Sequence, residues 1–466
     1  MPKSLKPYLD MLRDRPAEMR VVSRKIDPVD FQVTALLKHL DMRKEFPAVL
    51  FENPLDMHGE PSQFPLVSNL WATRERCAEM LDLPRDAAGR TFGQTFNRLI
   101  ETTYKPQVIP GAEAPAQAHV LRGDDLDMWR LPVVRHFEMD LSPVLTMACV
   151  MHLPGEQNYN VTFVKVFPEN GRQGGVTIHG KDMGRMVRAW RDRGEPIPTI
   201  CVLGHHPAFW LGSIALTPYG FNEYESIGSF LHEPVRLAPS VTWGDEFLVP
   251  ADAEIILEGY LHPDEKTIVD PFGEVSRLYQ PQELAPLLKI EAMTHRSGAV
   301  FQDVFSGHRE HFLLGSIPRE GSIFSALQSR FGGITGVHLP MSGYGRAVCY
   351  VSLKKVDSGQ PKQVAVSALA QSGVQVVVVV DDDIDVFDEE EVIWAILTYV
   401  DPAKDVDYIK NMGRVGDRSM GNNRVVIDAT RPTDHAFFSK LQVPKEALDA
   451  MVIEEWLDEV KTHGGA

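Results

Sequence analysis

Side chains that bind metal ions and transfer protons are concentrated in one stretch of the chain, residues 158–274. Imidazoles and carboxylates bind divalent cations and act as general acids and bases in enzymes. Short β-like runs and helical segments alternate between these side chains, so residues far apart in sequence can converge on one pocket. We interpret the stretch as a candidate site for cofactor binding and proton transfer, with the candidate residues His179, Asp182, His205, His206, Glu223, Glu225 and Glu274.

Most of these candidates also have a purely structural explanation. His205 and His206 follow a strand, but adjacent residues on a regular backbone point apart, which favours histidines that lie at the surface or bond to the backbone. His179 and Asp182 are separated by one helical turn and can bind one cation, whereas Asp182 can equally cap the helix that follows. Glu223 lies near a helix start, where a carboxylate is stabilised even without a function.

Glu274 ends a tight turn that Pro271 and Gly273 favour, and it lies beside the aromatic Phe272. Apolar surroundings raise the pKa of a carboxyl, so Glu274 is expected to hold a proton near neutral pH, as a general acid must. A solvated glutamate in a type I or type II turn fits the local sequence equally well. The residues alone leave both interpretations open.

The elements that position these residues predict an α/β (α+β) fold in three parts. The first part, 1–117, alternates helices and strands and ends in a linker rich in Pro, Ala and Gly at 105–117. The second part, 118–315, is rich in short strands. A turn at 315–321 is expected to lead into the third part, 322–466, where strands and helices alternate again. The same patterns predict strands at 160–167 and 374–380, the second of them buried, and helices at 5–14, 181–193 and 222–231.

Length and composition exclude several classes of protein. A chain of 466 residues is long enough for two or three domains. Its net charge of -17 disfavours nucleic acid and anionic membranes as partners. The longest aliphatic run, 374–380, is far shorter than the roughly 20 residues that span a bilayer. Widely separated cysteines favour a reducing cytoplasm over a disulfide framework: Cys77, Cys149, Cys201 and Cys349.

Glycine-rich dinucleotide and P-loop motifs, the nucleophile elbow and the His-Glu-x-x-His zinc motif do not occur in the sequence. Instead, an ordered set of short motifs runs along most of the chain: 47–53, 68–76, 222–231, 271–274, 290–296, 318–320, 380–385 and 428–430. In this order they resemble the UbiD family of decarboxylases, which depend on prenylated FMN. The resemblance implies an N-terminal α/β segment, a central split-barrel-like flavin-binding domain and a C-terminal α/β oligomerisation domain.

The resemblance also implies a cofactor site. Asn160, Asp182 and Glu223 match the positions that hold a divalent ion, Mn²⁺ or Mg²⁺, which binds the flavin phosphate together with K⁺ or Na⁺. Asp182 stands where the family usually has histidine, and His179 is an alternative ligand. The other expected cofactor contacts are Val161, Thr162, Lys181, Ser213 and Ala215.

For catalysis, the resemblance assigns the proton donor to Glu274. Lys165 stands where the family has arginine, which keeps the charge but loses the planar fork. The family's remaining glutamate falls on Val269, with Asp270 next to it as the substitute. Asn160 and Lys165 have opposite parity, so a bulge or a strand end is required if both line one site.

The implied activity is reversible, non-oxidative decarboxylation of an aromatic, heteroaromatic or α,β-unsaturated carboxylic acid. The implied partners are that substrate, a UbiX-like flavin prenyltransferase that supplies the cofactor, and further copies of the chain in a homodimer or homohexamer. Two alternatives are a flavin-free metal-dependent hydrolase or lyase that uses His179, Asp182 and Glu223, and a non-catalytic UbiD-like subunit. The second alternative is motivated by the departures at Asp182, Lys165 and Val269.

Overall fold

The computed structural model describes residues 2–178, 181–371, 373–412, 423–433, 440–441 and 443–451. The N-terminal part begins with an amphipathic helix that buries Leu5, Leu9 and Leu12 on one face, which confirms the helix predicted at 5–14. Helices and strands then alternate, as predicted. The elements are α1 (Leu5–Arg13), β1 (Met19–Ile26), α2 (Gln32–Met42), β2 (Ala48–Pro54), β3 (Leu66–Ser68), α3 (Arg74–Met80) and α4 (Phe92–Arg98).

The central part is built mainly from β-strands, as predicted. Its strands are β4 (Gln107–Val108), β5 (His119–Leu121), β6 (Ala148–His152), β7 (Tyr159–Phe163), β8 (Lys165–Asn170), β9 (Gln173–Thr177), β10 (Ile197–Val202), β11 (Arg236–Ser240), β12 (Gly244–Pro250), β13 (Ile255–Val269), β14 (Phe272–Gly273), β15 (Tyr279–Gln280), β16 (Glu283–His295) and β17 (Phe301–Gln302). Its helices are α5 (Lys181–Arg191), α6 (Pro207–Ser213) and α7 (Glu223–Leu231).

A large curved sheet forms the scaffold of the central part. Within the described residues its strands follow the order β7-β6-β10-β13-β16-β9-β8, and β5 pairs with β16. Backbone hydrogen bonds between Val166 of β8 and Leu145, just before β6, tie the two ends of the sheet together. The sheet therefore curls into a half-barrel, which confirms the predicted architecture. Strand β17 returns to pair in parallel with β3, so the N-terminal and central parts share one sheet and one core.

The C-terminal part is a mixed sheet with helices on both faces. Within the described residues its strands follow the order β18-β19-β20-β22-β21. Val377 and Val379 pack on one face and Val378 and Val380 on the other, so this strand is apolar on both sides, as predicted. The elements are α8 (Arg309–Gln328), β18 (Ile334–His338), β19 (Val348–Leu353), α9 (Gln360–Leu369), β20 (Val376–Asp381), α10 (Glu389–Tyr399), β21 (Val406–Ile409), β22 (Arg424–Ala429) and α11 (Lys445–Asp449).

Both predicted linkers are instead parts of the packed fold. Residues 105–117 include β4, which pairs in parallel with β11. The turn predicted at 315–321 lies inside the continuous helix α8. Gly321 is small because a Cβ at this position would lie 2.0 Å from the backbone oxygen of Gly93 in α4. The glycine that indicated a turn therefore marks a close helix–helix contact.

None of the described helices combines the length and apolarity needed to cross a membrane.

Candidate active site

Lys165 and Glu274 form a partly buried ion pair between two distant segments of the chain. Lys165 is the first residue of β8, and Glu274 follows β14. The Lys165 Nζ lies 3.2 Å from Glu274 Oε1 and 5.3 Å from the centroid of the Phe272 ring. The two side chains are 15% and 23% exposed, so water screens their attraction only in part. The structure thus brings together two of the residues that the sequence assigned to catalysis.

The Glu274 carboxyl is ionised at neutral pH, which contradicts the predicted raised pKa. Burial favours the neutral acid, but the charges of Lys165 and Arg346, the His311 ring and the Val275 N–H outweigh burial and lower the pKa to about 2. The Val275 N–H donates to Glu274 Oε2 at 3.0 Å. The local sequence could not show this balance because the principal cation lies 109 residues away.

Two cavities flank the ion pair. The larger has a volume of about 580 Å³, and Glu274 lines it together with aromatic and basic side chains that include Phe137, Tyr279, Phe305, His308 and Arg277. The smaller has a volume of about 200 Å³ and is lined by Lys165 and side chains that include Phe163, Val164, Ile214, Leu216, His311, Arg319 and Arg346. Because the pair lies between them, it can contact ligands in both cavities.

The single strand predicted at 160–167 is two strands in the structure, and the break lies just before Lys165. β7 ends at Phe163, β8 begins at Lys165, and Val164 lies between them. Phe163, Val164 and Lys165 all line the smaller cavity, although consecutive residues of a regular strand alternate between faces. The strand end required by the opposite parity of Asn160 and Lys165 is therefore present.

Asp270 does not take part in this network, contrary to the sequence prediction. Its Oδ2 accepts a hydrogen bond from the Ser142 hydroxyl at 3.1 Å, and within the described residues it contacts neither Lys165 nor Glu274 through a hydrogen bond or an ion pair. Val269 is buried in an apolar cluster with Val144, Phe167, Phe272 and Ala285. Neither Val269 nor Asp270 therefore takes the place of the remaining glutamate of the family pattern.

A second polar cluster joins β7 to the N-terminus of α7. Asn160 Nδ2 donates to Glu223 Oε1 at 2.7 Å, and the Val161 N–H donates to Glu223 Oε2 at 2.5 Å. The Thr162 hydroxyl donates to Asn160 Oδ1 at 2.6 Å. The Asn222 side chain accepts the Tyr224 N–H and so caps α7. Glu223 is therefore the first helical residue. Hydrogen bonds thus connect Asn160, Val161, Thr162 and Glu223, all predicted cofactor contacts.

The Glu223 carboxyl lies in surroundings that a cation would complement. Burial raises its pKa to about 8, and the charge of Asp182 adds to this effect, while hydrogen bonds from Val161 and Asn160 oppose it. Two carboxylates and an amide oxygen are hard donors that suit Mn²⁺ or Mg²⁺. Groups of three His, Cys, Asp or Glu with metal-binding geometry are absent from the described part of the chain. With the Asn160 amide oxygen, the carboxylates of Asp182 and Glu223 offer oxygen donors of the type that binds a divalent ion.

The remaining predicted cofactor residues lie around this cluster and the smaller cavity. Asp182 lies in the first turn of α5 and forms an ion pair with Arg185 at 3.5 Å. Lys181 opens the same helix, but its side chain and the whole of His179 lie outside the described residues. The Ser213 hydroxyl donates to the Trp210 carbonyl at 2.9 Å.

Ala215 is buried in the segment that follows α6. Its neighbours Ile214 and Leu216 line the smaller cavity, which places Ser213 and Ala215 next to that cavity.

His205 and His206 are structural. Both rings are buried, each Nδ1 accepts a backbone N–H, and burial lowers each pKa to about 3. The preference for histidines that bond to the backbone is confirmed.

Three basic residues that line the smaller cavity were not identified from the sequence: His311, Arg319 and Arg346. The first two lie on α8, and Arg346 lies in the loop before β19. Arg319 belongs to the motif 318–320, but this motif contributed only to the resemblance. No spacing rule connects an arginine in α8 with one in a later loop, because the fold of the C-terminal part brings them together.

Comparisons with known proteins identify the class of enzyme. Models of three domains of 3-octaprenyl-4-hydroxybenzoate carboxy-lyase match consecutive parts of the chain: the N-terminal domain over residues 12–96, the Rift-related domain over 107–309 and the C-terminal domain over 312–429. Together they cover most of the sequence. The chain belongs to the UbiD family, and it is an enzyme of the carboxy-lyase (decarboxylase) class.

Solved structures of UbiD-class enzymes have the same fold over nearly the whole chain. HmfF from Pelotomaculum thermopropionicum in complex with FMN is 28% identical, with a TM-score of 0.88 over 97% of this chain and 100% of that chain. An evolved dimeric form of HmfF in complex with prFMN is 28% identical, with a TM-score of 0.86 over the same shares. Vanillic acid decarboxylase from Sedimentibacter hydroxybenzoicus is 24% identical, with a TM-score of 0.84 over 97% of both chains.

Proposed function

We propose that this enzyme is a reversible, non-oxidative decarboxylase of an aromatic, heteroaromatic or α,β-unsaturated carboxylic acid and that it uses prenylated FMN. The observation that carries the proposal is the Lys165–Glu274 ion pair between two cavities. It combines a cation that can orient a carboxylate with an acid–base group that can exchange a proton with carbon.

The residues present fit the cofactor. The structures of HmfF hold FMN or prFMN, and this chain is 28% identical to HmfF. The cluster of Asn160 and Glu223, with Asp182 nearby, offers oxygen donors to Mn²⁺ or Mg²⁺ at a place where a buried carboxylate needs a positive charge. A divalent ion there, with K⁺ or Na⁺ near Ser213 and Ala215, would hold the phosphate of the flavin. When bound, prenylated FMN supplies the electron sink for the pair of electrons left when carbon dioxide departs.

Lys165 orients the substrate and controls the charge of Glu274. A substrate carboxylate beside the ammonium competes with Glu274 for this cation, and its negative charge raises the pKa of Glu274. Glu274 therefore takes up a proton from solvent when the acid binds. The bond between the ring or vinyl carbon and the carboxylate carbon then breaks, carbon dioxide leaves, and the proton of Glu274 forms the new C–H bond.

The ionised resting state of Glu274 allows the same group to act in both directions. In the unliganded enzyme the carboxyl is ionised, with a pKa of about 2, so it can accept a proton from carbon when the reaction runs toward carboxylation. Apolar residues on the cavity walls, among them Phe163, Val164 and Ile214, limit the access of water to the reacting carbon. The same group is thus the acid in one direction and the base in the other.

The test is purification after co-expression with a flavin prenyltransferase. We expect a coloured holoenzyme that contains a chromophore with the mass of prenylated FMN and that releases carbon dioxide from members of a panel of unsaturated acids. Glu274→Gln is expected to abolish turnover and deuterium exchange at the substrate carbon, because glutamine cannot exchange the proton.

The matched control is Glu265→Gln, which removes a carboxylate that pairs with Lys289 away from both cavities and should leave turnover unchanged. Retained exchange in the Glu274 variant would refute its assignment as the proton donor. A colourless, flavin-free protein with tightly bound zinc would instead favour the metal-dependent hydrolase or lyase.

A further inference from the structure

The backbone that carries Glu274 is held from two sides by buried polar side chains. Gly273, the residue before Glu274, donates its N–H to Asp140 Oδ1 at 3.1 Å, and its carbonyl oxygen accepts the Ser306 hydroxyl at 2.7 Å. Asp140 is 1% exposed and Ser306 is 3% exposed, so water does not compete for these bonds. Both peptide groups of Gly273 are therefore fixed, and with them the point from which the Glu274 side chain extends.

Asp140 is itself held in a tight turn, residues 136–140. Its Oδ2 accepts the N–H groups of His136 and Phe137 at 3.2 and 2.9 Å, and its own N–H donates to the Phe137 carbonyl at 3.0 Å. The Phe137 ring lies against Gly273, where a Cβ would be 2.3 Å from a ring carbon. The turn thus supports Gly273 both by a hydrogen bond and by direct contact.

Ser306 belongs to the segment 303–307, which connects β17 to α8. The N–H of its neighbour Phe305 donates to Glu310 Oε1 at 2.7 Å. Glu310 is fully buried in the first turn of α8, so this bond ties the segment to the beginning of that helix. The Ser306 hydroxyl is therefore presented to Gly273 from a fixed backbone.

Gly307 lets the same segment approach the backbone of Glu274. Its φ of +63° lies in the left-handed region, which favours glycine. A Cβ at this position would lie 2.8 Å from the Glu274 carbonyl oxygen. The Gly307 N–H donates to His311 Nδ1 at 3.2 Å, which fixes the segment at its end. The segment is thus packed directly against the residue that it supports.

A buried ion pair joins the two supports. His136 Nε2 lies 3.1 Å from Asp303 Oδ1, and the side chains are 3% and 2% exposed. The Thr146 and Ser68 hydroxyls each donate to the Asp303 carboxylate at 3.0 Å. Burial lowers the pKa of His136, but the charge of Asp303 and its hydrogen bond to the ring outweigh burial, so the pKa is raised. The pair therefore links the turn 136–140 to the segment 303–307 as opposite charges.

We propose that Ser306, with Asp140 opposite it, is a positioning residue of the decarboxylation, because it holds the backbone that carries Glu274. This inference rests on the proposed function, in which Glu274 is the proton donor. Lys165 Nζ lies 3.2 Å from the Glu274 carboxylate, and a proton is transferred only over hydrogen-bond distances. A displacement of Glu274 by about 1 Å is therefore expected to slow the transfer by up to about 100-fold.

The Ser306 hydroxyl acts through the backbone, although Ser306 also lines the smaller cavity. A hydroxyl has one proton to donate, and the short bond to Gly273 uses it. His311 Nδ1 lies 3.4 Å from the same oxygen and accepts the Gly307 N–H. Removal of the hydroxyl should therefore affect the rate of proton transfer and leave the binding of substrate nearly unchanged.

The test is Ser306→Ala, which removes the hydroxyl and leaves a side chain of nearly the same volume. On the holoenzyme, with the acid that the wild type decarboxylates fastest, kcat should fall roughly 10- to 100-fold. KM should change by less than about twofold. The matched control is Ser229→Ala, which removes a buried hydroxyl bonded to the Glu225 carbonyl at 3.2 Å and should leave kcat unchanged.

A second readout does not require turnover. Burial raises the pKa of Glu274, but the nearby charge of Lys165 and further contacts lower it to about 2. In Ser306→Ala the carboxylate should move away from the ammonium, so NMR of ¹³C-labelled glutamate should show a pKa raised by about one pH unit or more. Gly307→Ala perturbs the same contact from the other side, and it should cause the same two changes if Ser306→Ala does not fold.

The inference and the proposed function fail in different ways. If Ser306→Ala retains both the kcat and the Glu274 pKa of the wild type, the inference is wrong, while release of carbon dioxide by the wild type supports the proposed function. A raised KM with unchanged kcat would also overturn the inference, because Ser306 would then contact the substrate itself. If the wild type releases no carbon dioxide from any acid, the proposed function is wrong, and a raised Glu274 pKa in Ser306→Ala would still show that Ser306 positions this carboxylate.

Discussion

The interaction between Lys165 and Glu274 leads to a prediction that does not depend on knowing the substrate. Lys165→Met removes an ammonium 3.2 Å from the Glu274 carboxylate and leaves a side chain of similar length. Lys165→Arg keeps the charge and is the matched control. In the methionine variant the ammonium no longer offsets the effect of burial on the Glu274 carboxyl, so the pKa of Glu274 should rise.

The magnitude follows from the structure. The pKa of Glu274 is lowered from 4.5 to about 2, which corresponds to a net electrostatic stabilisation of about 3 kcal/mol for the ionised form. Coulomb's law gives an upper bound of about 5 kcal/mol at this distance with an effective dielectric constant near 20. Because both side chains are largely buried, we expect most of this energy in the pair itself, and a rise of about 2 pH units or more in Lys165→Met.

The assay is NMR of the chain labelled with ¹³C at the glutamate carboxyl carbon, with Glu274→Gln to assign the signal. A double-mutant cycle of Lys165→Met and Glu274→Gln, followed by urea unfolding at pH 7, should give a coupling energy of about 3 kcal/mol. The folded-state pKa lies below the ordinary value, so this stabilisation is fully present above pH 4.5 and is lost as the pH falls toward 2. A pKa near 2 in Lys165→Met, or a coupling energy below about 0.5 kcal/mol, would refute the reasoning.

Three further predictions concern the fold and the cofactor site. Arg76 is buried and donates to four backbone carbonyls and one carboxylate, so Arg76→Met should lower the free energy of unfolding by about 3–5 kcal/mol in urea titrations; a loss under 1 kcal/mol would contradict this. Gly321→Ala should lower the free energy of unfolding by about 1–3 kcal/mol because the new Cβ would lie 2.0 Å from a backbone oxygen of α4. The control Gly332→Ala, where a Cβ would meet open space, should show no such loss in the same titration. Finally, Mn²⁺ should raise the Tm of the wild-type chain in calorimetry by about 2–4 °C at saturation, and Glu223→Gln and Asp182→Asn should each remove this rise; an equal rise in both variants would place the metal elsewhere.

Local patterns were sufficient for much of the fold. The aliphatic run at 374–380 predicted a strand buried on both faces, and β20 has this property because its valines alternate between two cores. The helix predicted at 222–231 begins one residue later, at Glu223, because Asn222 is the cap. These predictions succeeded because hydrophobic periodicity and capping act over a few residues.

Other predictions failed where a distant segment changes the meaning of a residue. Glycines of 315–321 indicated a turn, yet Gly321 lies in a helix and permits close contact with α4. Asp270 was expected beside the catalytic pair but bonds to Ser142. In both cases the residue type was compatible with two structures, and the tertiary contact decided between them.

The sequence alone indicated the class of this enzyme, most of its helices and strands, and several residues that are candidates for binding a cofactor or moving a proton. The tertiary structure decided how those residues behave. Glu274 is an ionised carboxylate because Lys165 reaches it from another strand, and Arg319 and Arg346 share one cavity because the C-terminal part folds against the half-barrel. Electrostatic energy depends on distances and burial in three dimensions, and spacing along the chain does not specify either.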